Sequence, residues 1–522
     1  MVWVRPRMLV RTSVAVFVLV AALLVAVYGN ALVFTNDEGI FLEGAQRVAE
    51  GQRPYADFFS HLSPGSFWLQ ALAFRLFGVS MRSGRLPVIL DFAAQCALLF
   101  WLTARLGSRR AAWAALALFL VFQASTPGLL TSQHRWDSGA FGTLSLALCL
   151  AGKERGSRTW LLLGGMAIGL ATLSTPSVGL VAAVTAAWLV ISPDRRLTLP
   201  PYLAGGALVA AAATAWLIYT ATLGPLLGQM RWLLGHYSGV NVMPYGSIIG
   251  GYAALFEGAS GLDAAVRLGL VLSIALPALL PVLAVAAWGV RLVQGRVADT
   301  GPILYLVACT VAFAAATFPR SDVMHLAFAA VPACALAAIW ASRFMTARAG
   351  AMLVACLAVF ASLFAWRAAA DLAARRPVDS PVGVLRVRPE DEANLRRLLA
   401  AVRPGDGLYV HPYLPLFYFL TQARNPTRFS FLGPGMMTAA EESVAIEELS
   451  LKPPRWVLFL PVAREDFLRV FPSAGKLDHR FERIEQWIRR NYRPLPEPLA
   501  LSGYSLWDRT AGSEDRLLDR PR

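Results

Sequence analysis

The chain has 522 residues, 56% of them hydrophobic, and carries 48 basic against 33 acidic residues for a net charge of +15. That apolar content excludes an ordinary soluble globule. All basic residues except Lys153, Lys452 and Lys476 are arginine, and the excess is assigned to topology-setting loops and anionic lipid rather than to nucleic acid.

Apolar runs of about 17–25 residues, each long enough to cross a bilayer as a helix, recur up to residue 367. They predict a polytopic α-helical membrane protein with about eleven transmembrane helices, at roughly 10–33, 84–106, 111–130, 138–152, 159–175, 177–192, 200–222, 267–292, 302–318, 325–342 and 350–367. The first run follows Arg5, Arg7 and Arg11 but lacks a small-x-small cleavage site before Asn30, so it is read as a retained helix. Loops bearing Arg105/Arg109/Arg110, Lys153/Arg155/Arg158, Arg195/Arg196, Arg291/Arg296 and Arg343/Arg348 alternate with less basic ones and mark the cytoplasmic side. Arg47, Arg53, Arg82 and Arg85 break the pattern by lying in the first outer loop, where they imply an anionic partner.

That loop, residues 35–83, contains two amphipathic helices. Thr35 and Glu38 match a capping box, followed by Ile40, Phe41, Ala45 and Val48 on one stripe. Pro64 to Phe77 forms the second, and both are expected to lie flat at the membrane surface. All five cysteines (Cys96, Cys149, Cys309, Cys334, Cys356) fall in apolar runs, so neither a disulfide framework nor a thiolate metal site is indicated.

Residues 368–508 change to a charged, proline-rich composition and are expected to be an extracytoplasmic α/β domain. Helices are expected at Pro389–Ala401, Pro415–Leu420, Ala439–Leu449, Ala463–Val470 and Phe481–Arg490. Strands are expected at Gly407–His411 and Trp456–Leu460. No Gly-rich phosphate loop is present, and residues 509–522 read as a disordered tail.

Three polar islands interrupt the membrane domain: Thr35-Asn36-Asp37-Glu38, Gln133-His134-Arg135-Trp136-Asp137 and Arg320-Ser321-Asp322-Val323-Met324-His325. Counting spans puts all three on the outer side. Ionisable groups are costly near lipid, so their clustering points to a functional site.

The first ninety residues resemble the GT-C superfamily of polyprenyl-phosphate-sugar glycosyltransferases. They are most similar to the protein O-mannosyltransferase and aminoarabinose transferase branch. The resemblance rests on Asn36-Asp37-Glu38-Gly39-Ile40-Phe41, Gly51-Gln52-Arg53-Pro54-Tyr55-Ala56-Asp57, Ser63-Pro64-Gly65, and Leu76-Phe77-Gly78 with Arg85-Leu86-Pro87. It implies transfer of a sugar from a polyprenyl-phosphate donor to an extracytoplasmic protein, lipid or envelope glycan, in the inner (plasma) membrane of a bacterium. It also makes Asp37 the catalytic carboxylate, with Glu38 a second candidate. Relatives carry a basic residue before a Pro-Pro pair, where it approaches the lipid phosphate. This chain has His61-Leu62-Ser63-Pro64 there, so phosphate recognition comes from elsewhere.

Such a transfer needs a base for the acceptor hydroxyl and cations for the leaving phosphate. Arg320 is assigned to phosphate, with Asp322 and His325, three residues apart, sharing a face. His134, Arg135, Arg53, Asp57 and His61 are the remaining candidates for donor phosphate and sugar. Each also has a structural reading: a polar hairpin for His134 and Arg135, an Asx turn for Asp57, a helix-capping carboxylate for Glu38. No metal or other cofactor is expected to be required; a divalent ion on Asp37, Glu38, Asp322 and His325 demands that the islands converge. The rival classes are a lipid-linked-sugar flippase or solute transporter, expected to show midplane charges and internal symmetry, and an envelope scaffold acting through its soluble domain.

Overall fold

The structure is a computed structural model that describes residues 6–125, 130–237, 239, 241–248, 251–295, 300–433, 437–461, 463, 465, 468, 481–496, 499 and 501–509. Helix α1 (Pro6–Val27) is followed by α2 (Asn36–Ala49), α3 (Pro64–Phe77), α4 (Met81–Leu106), α5 (Arg109–Ser125), α6 (His134–Arg155), α7 (Arg158–Ser174), α8 (Gly179–Val190) and α9 (Arg195–Tyr219). Next come the short α10 (Leu223–Trp232), then α11 (Gly261–Val293), α12 (Thr300–Ala315), α13 (Val323–Phe328), α14 (Val331–Phe344) and α15 (Ala347–Ala374). A helix meets each expected span. Five of them (in α1, α4, α9, α11 and α15) are long and apolar enough to cross a membrane, and three more apolar helices are shorter. The expected span 325–342 is two pieces, because Pro332 opens a new helix after α13 ends.

The bundle is closed by small residues and shape. α7 packs against α6 and α9, and α4 against α1, α5 and α6. Between α7 and α9, a Cβ on Gly165 would meet the Tyr202 carbonyl oxygen at 1.9 Å, so only glycine admits this approach. The loops expected on the cytoplasmic side gather at one end. There Arg105 pairs with Glu154 at 2.6 Å, Arg343 donates to the Leu106 carbonyl at 2.7 Å, and Lys153 lies 4.5 Å above the Trp188 ring.

The C-terminal region begins where α15 ends, past the expected boundary at 367. Strands β1 (Arg376–Val378) and β2 (Leu385–Val387) form an antiparallel hairpin. The main sheet has the order β3-β4-β6-β5, with β3 (Leu408–His411) parallel to β4 (Trp456–Phe459) and β6 (Ser505–Asp508) antiparallel to β4 and to β5 (Arg493–Pro494). Helices α16 (Pro389–Ala401), α17 (Leu416–Thr421), α18 (Ala439–Leu451) and α19 (Glu482–Asn491) match the expected ones closely. The expected helix 463–470 and the tail 510–522 lie outside the described residues, apart from 463, 465 and 468.

This region does not stand apart from the outer loop. Leu42, Ala45 and Phe74 share one core with Leu416, Phe417 and Phe419. Arg386 exchanges backbone hydrogen bonds with Asn30 and Leu32, both 2.8 Å, adding the chain after α1 to the β1–β2 hairpin. The expectation that α2 lies flat on lipid is therefore corrected. Its apolar stripe is covered by α3 and α17, because protein rather than bilayer supplies the apolar surface.

Candidate active site

Two adjacent residues of α2 take opposite environments. Asp37 is exposed, whereas Glu38 is fully buried. Glu38 receives two hydrogen bonds from Arg85 of α4, from Nε and Nη2, each 2.7 Å, and neither side chain has any exposed surface. Arg85 also donates to the carbonyls of Tyr28 (3.0 Å) and Ala31. This corrects two expectations. Thr35 is the N-cap of α2, but its side chain makes no capping bond and Glu38 does not reach back to it. Glu38 is not a proton-transfer group either, because both of its oxygens are committed to a guanidinium.

Three of the four arginines that broke the charge pattern have anionic partners within the chain. Besides Arg85 with Glu38, Arg47 pairs with Glu43 at 3.2 Å and Arg53 with Asp57 at 3.0 Å. Asp57 accepts from the Arg53 backbone at 2.7 Å as well as from its side chain, and these bonds hold its carboxyl below the usual range. Arg53 and Asp57 close on each other at an exposed turn, so neither belongs to the cluster around Asp37.

The three islands do converge. Arg135, at the first turn of α6, has Tyr237, Asp322, Asp37 and Arg320 as electrostatic neighbours. His134 has Arg135, His325 and His61. Among the described residues no carboxylate lies within 4 Å of the Arg135 guanidinium, which faces a small cavity shared with Thr175, Thr317 and His325. Arg320 is held instead: its Nε lies 3.1 Å from Asp322 and its Nη1 donates to Asn241 at 2.7 Å. Asp322 caps α13 by accepting from the His325 backbone at 3.0 Å, and its same oxygen lies 2.8 Å from His325 Nδ1. Burial pushes the Asp322 carboxyl up, but the bonds and charges of His325 and Arg320 outweigh it and hold it at about 2.

The loop between α10 and α11 completes the cluster. It docks beside Arg320 through backbone bonds from Met243 to the Pro319 carbonyl (3.0 Å) and from Gly246 to the Ser321 carbonyl (2.8 Å). This brings in Tyr237, whose ring stacks on His61 at 5.3 Å while Phe431 meets His61 edge-on at 5.6 Å. Burial raises the Tyr237 phenol, and the charges of Arg135 and Arg320 oppose it. Burial also drives the His61 imidazole down to about 4, so His61 is neutral at physiological pH. It therefore brings an aromatic face and a neutral N–H donor, and no cationic charge, to this cluster. His134 lies 2.6 Å from the Thr175 hydroxyl and 5.7 Å from the Phe41 ring.

Asn241 and the partner of Arg85 were what sequence reasoning did not place. Asn241 lies in a loop without periodicity, and Arg85 looked like ordinary loop charge. The arginine's conflict with the topology rule was the one signal available. Among the described residues no three His, Cys, Asp or Glu side chains form a metal-holding group, and Glu38 is withdrawn from the expected constellation by Arg85.

Residues 61–219 match the family model described as dolichyl-phosphate-mannose-protein mannosyltransferase. This segment contains His61, His134 and Arg135 and begins after Asp37. No curated protein matches the full sequence. ArnT from Cupriavidus metallidurans, solved bound to undecaprenyl phosphate, aligns at a TM-score of 0.58 and 15% identity over 98% of this chain and 99% of that one. The same protein in the apo state aligns at a TM-score of 0.46 and 15% identity over 98% and 99% of the two chains. The Archaeoglobus fulgidus oligosaccharyltransferase gives a TM-score of 0.48 at 13% identity, covering 85% of this chain and 67% of that one. The first alignment shows a shared fold. Residues 61–219 are thus similar to that mannosyltransferase family, and the chain as a whole shares the ArnT fold.

Proposed function

We propose that this protein moves a sugar from a polyprenyl-phosphate donor to an extracytoplasmic acceptor at the outer face of a bacterial plasma membrane, with Asp37 as general base. The supporting observation is the meeting of Asp37, Arg135, Arg320, Asp322 and His325 around one site, drawn from three distant stretches of chain. Asp37 takes the proton of the acceptor hydroxyl as that oxygen attacks the anomeric carbon. The bond from that carbon to the phosphate oxygen breaks, its electron pair stays on the phosphate, and the anomeric centre inverts.

Arg135 is the principal phosphate ligand in this reading, because its charge is the least committed. Arg320 is the second, oriented by Asn241 and Asp322. These two cations supply the charge stabilisation, so the proposed reaction requires no metal. Each buried methylene of a prenyl chain contributes about 0.8 kcal/mol, which confines the donor to the bilayer. A cavity of about 560 Å³ lined by Trp68, Leu72, Leu173, Val209 and Trp216, with Arg53 at its rim, offers that tail an apolar bed next to the site.

The test is transfer by purified Asp37→Asn protein from a panel of prenyl-phosphate sugars, followed by mass spectrometry of the products. The expected result is a folded protein whose rate falls by at least about 10²-fold. Full activity would remove Asp37 as the base. One observation favours the transporter reading: two carboxylates, Asp91 and Asp137, are buried inside the helix bundle as electrostatic neighbours. Donor-dependent sugar movement across liposomes without transfer would establish that reading instead.

A further inference from the structure

A groove of about 650 Å³ runs along the bundle between α1, α4 and α6, walled by Val14, Phe17, Ala94, Leu98, Phe141 and Leu144 among others. It reaches Asp91 in one direction and Trp101, Arg155 and Trp160 in the other. Arg155 stands in the last turn of α6, about 30 Å along that helix from Arg135 in its first turn. The mouth of the groove therefore belongs to the basic end of the bundle, and none of its lining residues belongs to the cluster around Asp37.

Apart from the two tryptophans, only three lining side chains are polar. Ser13 already donates to the Leu9 carbonyl at 3.1 Å, and Asp91 is buried at the far end. Arg155 is exposed at the mouth, with its guanidinium 5.0 Å above the Trp160 ring. Among the described residues no carboxylate lies within 4 Å of it, and its neighbour Glu154 is taken by Arg105 at 2.6 Å. An arginine stacked on an indole keeps its N–H edge open, and that edge matches two phosphate oxygens. Arg7 lies three residues before Val10 and seven before Val14, which puts a second exposed cation on the face of α1 that lines the groove.

Asp91 and Trp101 are ten residues apart on α4, about 15 Å, which is half of the roughly 30 Å hydrocarbon thickness. That depth takes an acyl chain of one leaflet, whereas a long prenyl tail would run on across the Asp91 carboxyl. A saccharide or a peptide would meet one polar contact and otherwise hydrocarbon. An apolar bed one leaflet deep, with tryptophans and cations at its mouth, instead matches an amphiphile with an anionic head. We infer that this groove seats an anionic phospholipid of the leaflet at the basic end, with Arg155 on its phosphate, Arg7 adding positive charge at the headgroup, and one acyl chain along α1, α4 and α6. The inference is independent of the proposed transfer reaction, because the binding needs neither donor nor base.

Native mass spectrometry of the delipidated full-length protein in detergent tests it with three probes: dioleoyl-phosphatidylglycerol, dioleoyl-phosphatidylcholine and undecaprenyl phosphate. The expected result is a retained phosphatidylglycerol whose Kd is at least about fivefold below that of phosphatidylcholine, and which rises at least about fivefold in Arg155→Gln and in Val14→Trp. Val14 is 55% exposed, so the larger ring fills the groove without entering the bundle core. Arg11→Gln, at the same end of α1 but on another face, should bind phosphatidylglycerol as the unaltered protein does. Absent binding, equal affinity for the two phospholipids, an unchanged Kd in either groove variant, or an equal loss in Arg11→Gln overturns the phospholipid seat. So does undecaprenyl phosphate that binds more tightly than phosphatidylglycerol and weakens in the same two variants, because the groove would then hold a prenyl carrier.

Discussion

Arg85 and Glu38 form a two-point ion pair, 2.7 Å at each contact, with no solvent access to either side chain. The pair ties the first turn of α2 to α4, and through the Tyr28 carbonyl to the end of α1. Asp37 sits beside it in sequence but outside it in space. The pair therefore determines where the exposed carboxylate points, without taking part in proton transfer.

Removing one partner should be severe. Arg85→Ala leaves an unpaired buried carboxylate, and such losses cost about 3–5 kcal/mol. Thermal unfolding in detergent should show a large drop for Arg85→Ala and Glu38→Gln. The double variant Arg85→Met/Glu38→Leu should recover much of it. Equal unfolding temperatures for the single variant and the unaltered protein would mean that the pair is not closed.

Arg135→Gln should weaken donor handling without unfolding the protein. Loss of a hydrogen bond to a charged group is worth about 1.5–3 kcal/mol, so kcat/KM should fall by about 10- to 100-fold. Arg320→Gln should also loosen the loop docked beside Arg320, and proteolysis of residues 241–247 should rise with the loss of activity. An intact rate in Arg135→Gln would transfer the phosphate role to Arg320.

Acid sensitivity follows from His61. Its imidazole falls from an ordinary 6.5 to about 4 in the folded protein. Between those values the unfolded chain binds the proton and the folded one does not, so stability decreases as pH drops from 6.5 towards 4 and then levels off. The full effect is on the order of 2–3 kcal/mol. Asp322 acts in a separate window: its stabilising contribution is present above the ordinary 3.8 and is lost as pH falls through about 2. Unfolding measured from pH 7 to 4 should be flatter in His61→Phe; an unchanged slope would show that His61 is solvated.

Gly39 lies where α2 crosses α17. A Cβ there would sit 2.2 Å from the Leu416 backbone nitrogen, which cannot yield as a flexible side chain would. Gly39→Ala should cost about 1–3 kcal/mol and increase protease cleavage between α15 and α17. Gly51→Ala meets no atom within 4 Å but adopts a φ of +96, so it should show a smaller loss, caused by backbone strain alone. Equal effects of the two would remove the claim of close contact.

Much of this architecture was legible in the linear chain, because bilayer thickness and helix periodicity act locally. The apolar runs specified the helices of the bundle, and Pro64–Phe77 and Pro389–Ala401 formed as expected to the residue. Charge alternation sorted the loops to two ends, and the three polar islands came together away from the basic one. Tertiary structure decided what Glu38, His61 and Arg85 do, since burial and partner choice depend on residues far away in sequence. The two neighbouring candidate carboxylates, Asp37 first and Glu38 second, took different environments when α4 delivered an arginine to Glu38. Tyr237 and Asn241 entered the site only through docking of an irregular loop, and the antiparallel strand β6 reached the sheet centre only through long-range pairing. Local patterns encode how a segment folds; which charge it meets is set by the packing of segments hundreds of residues apart.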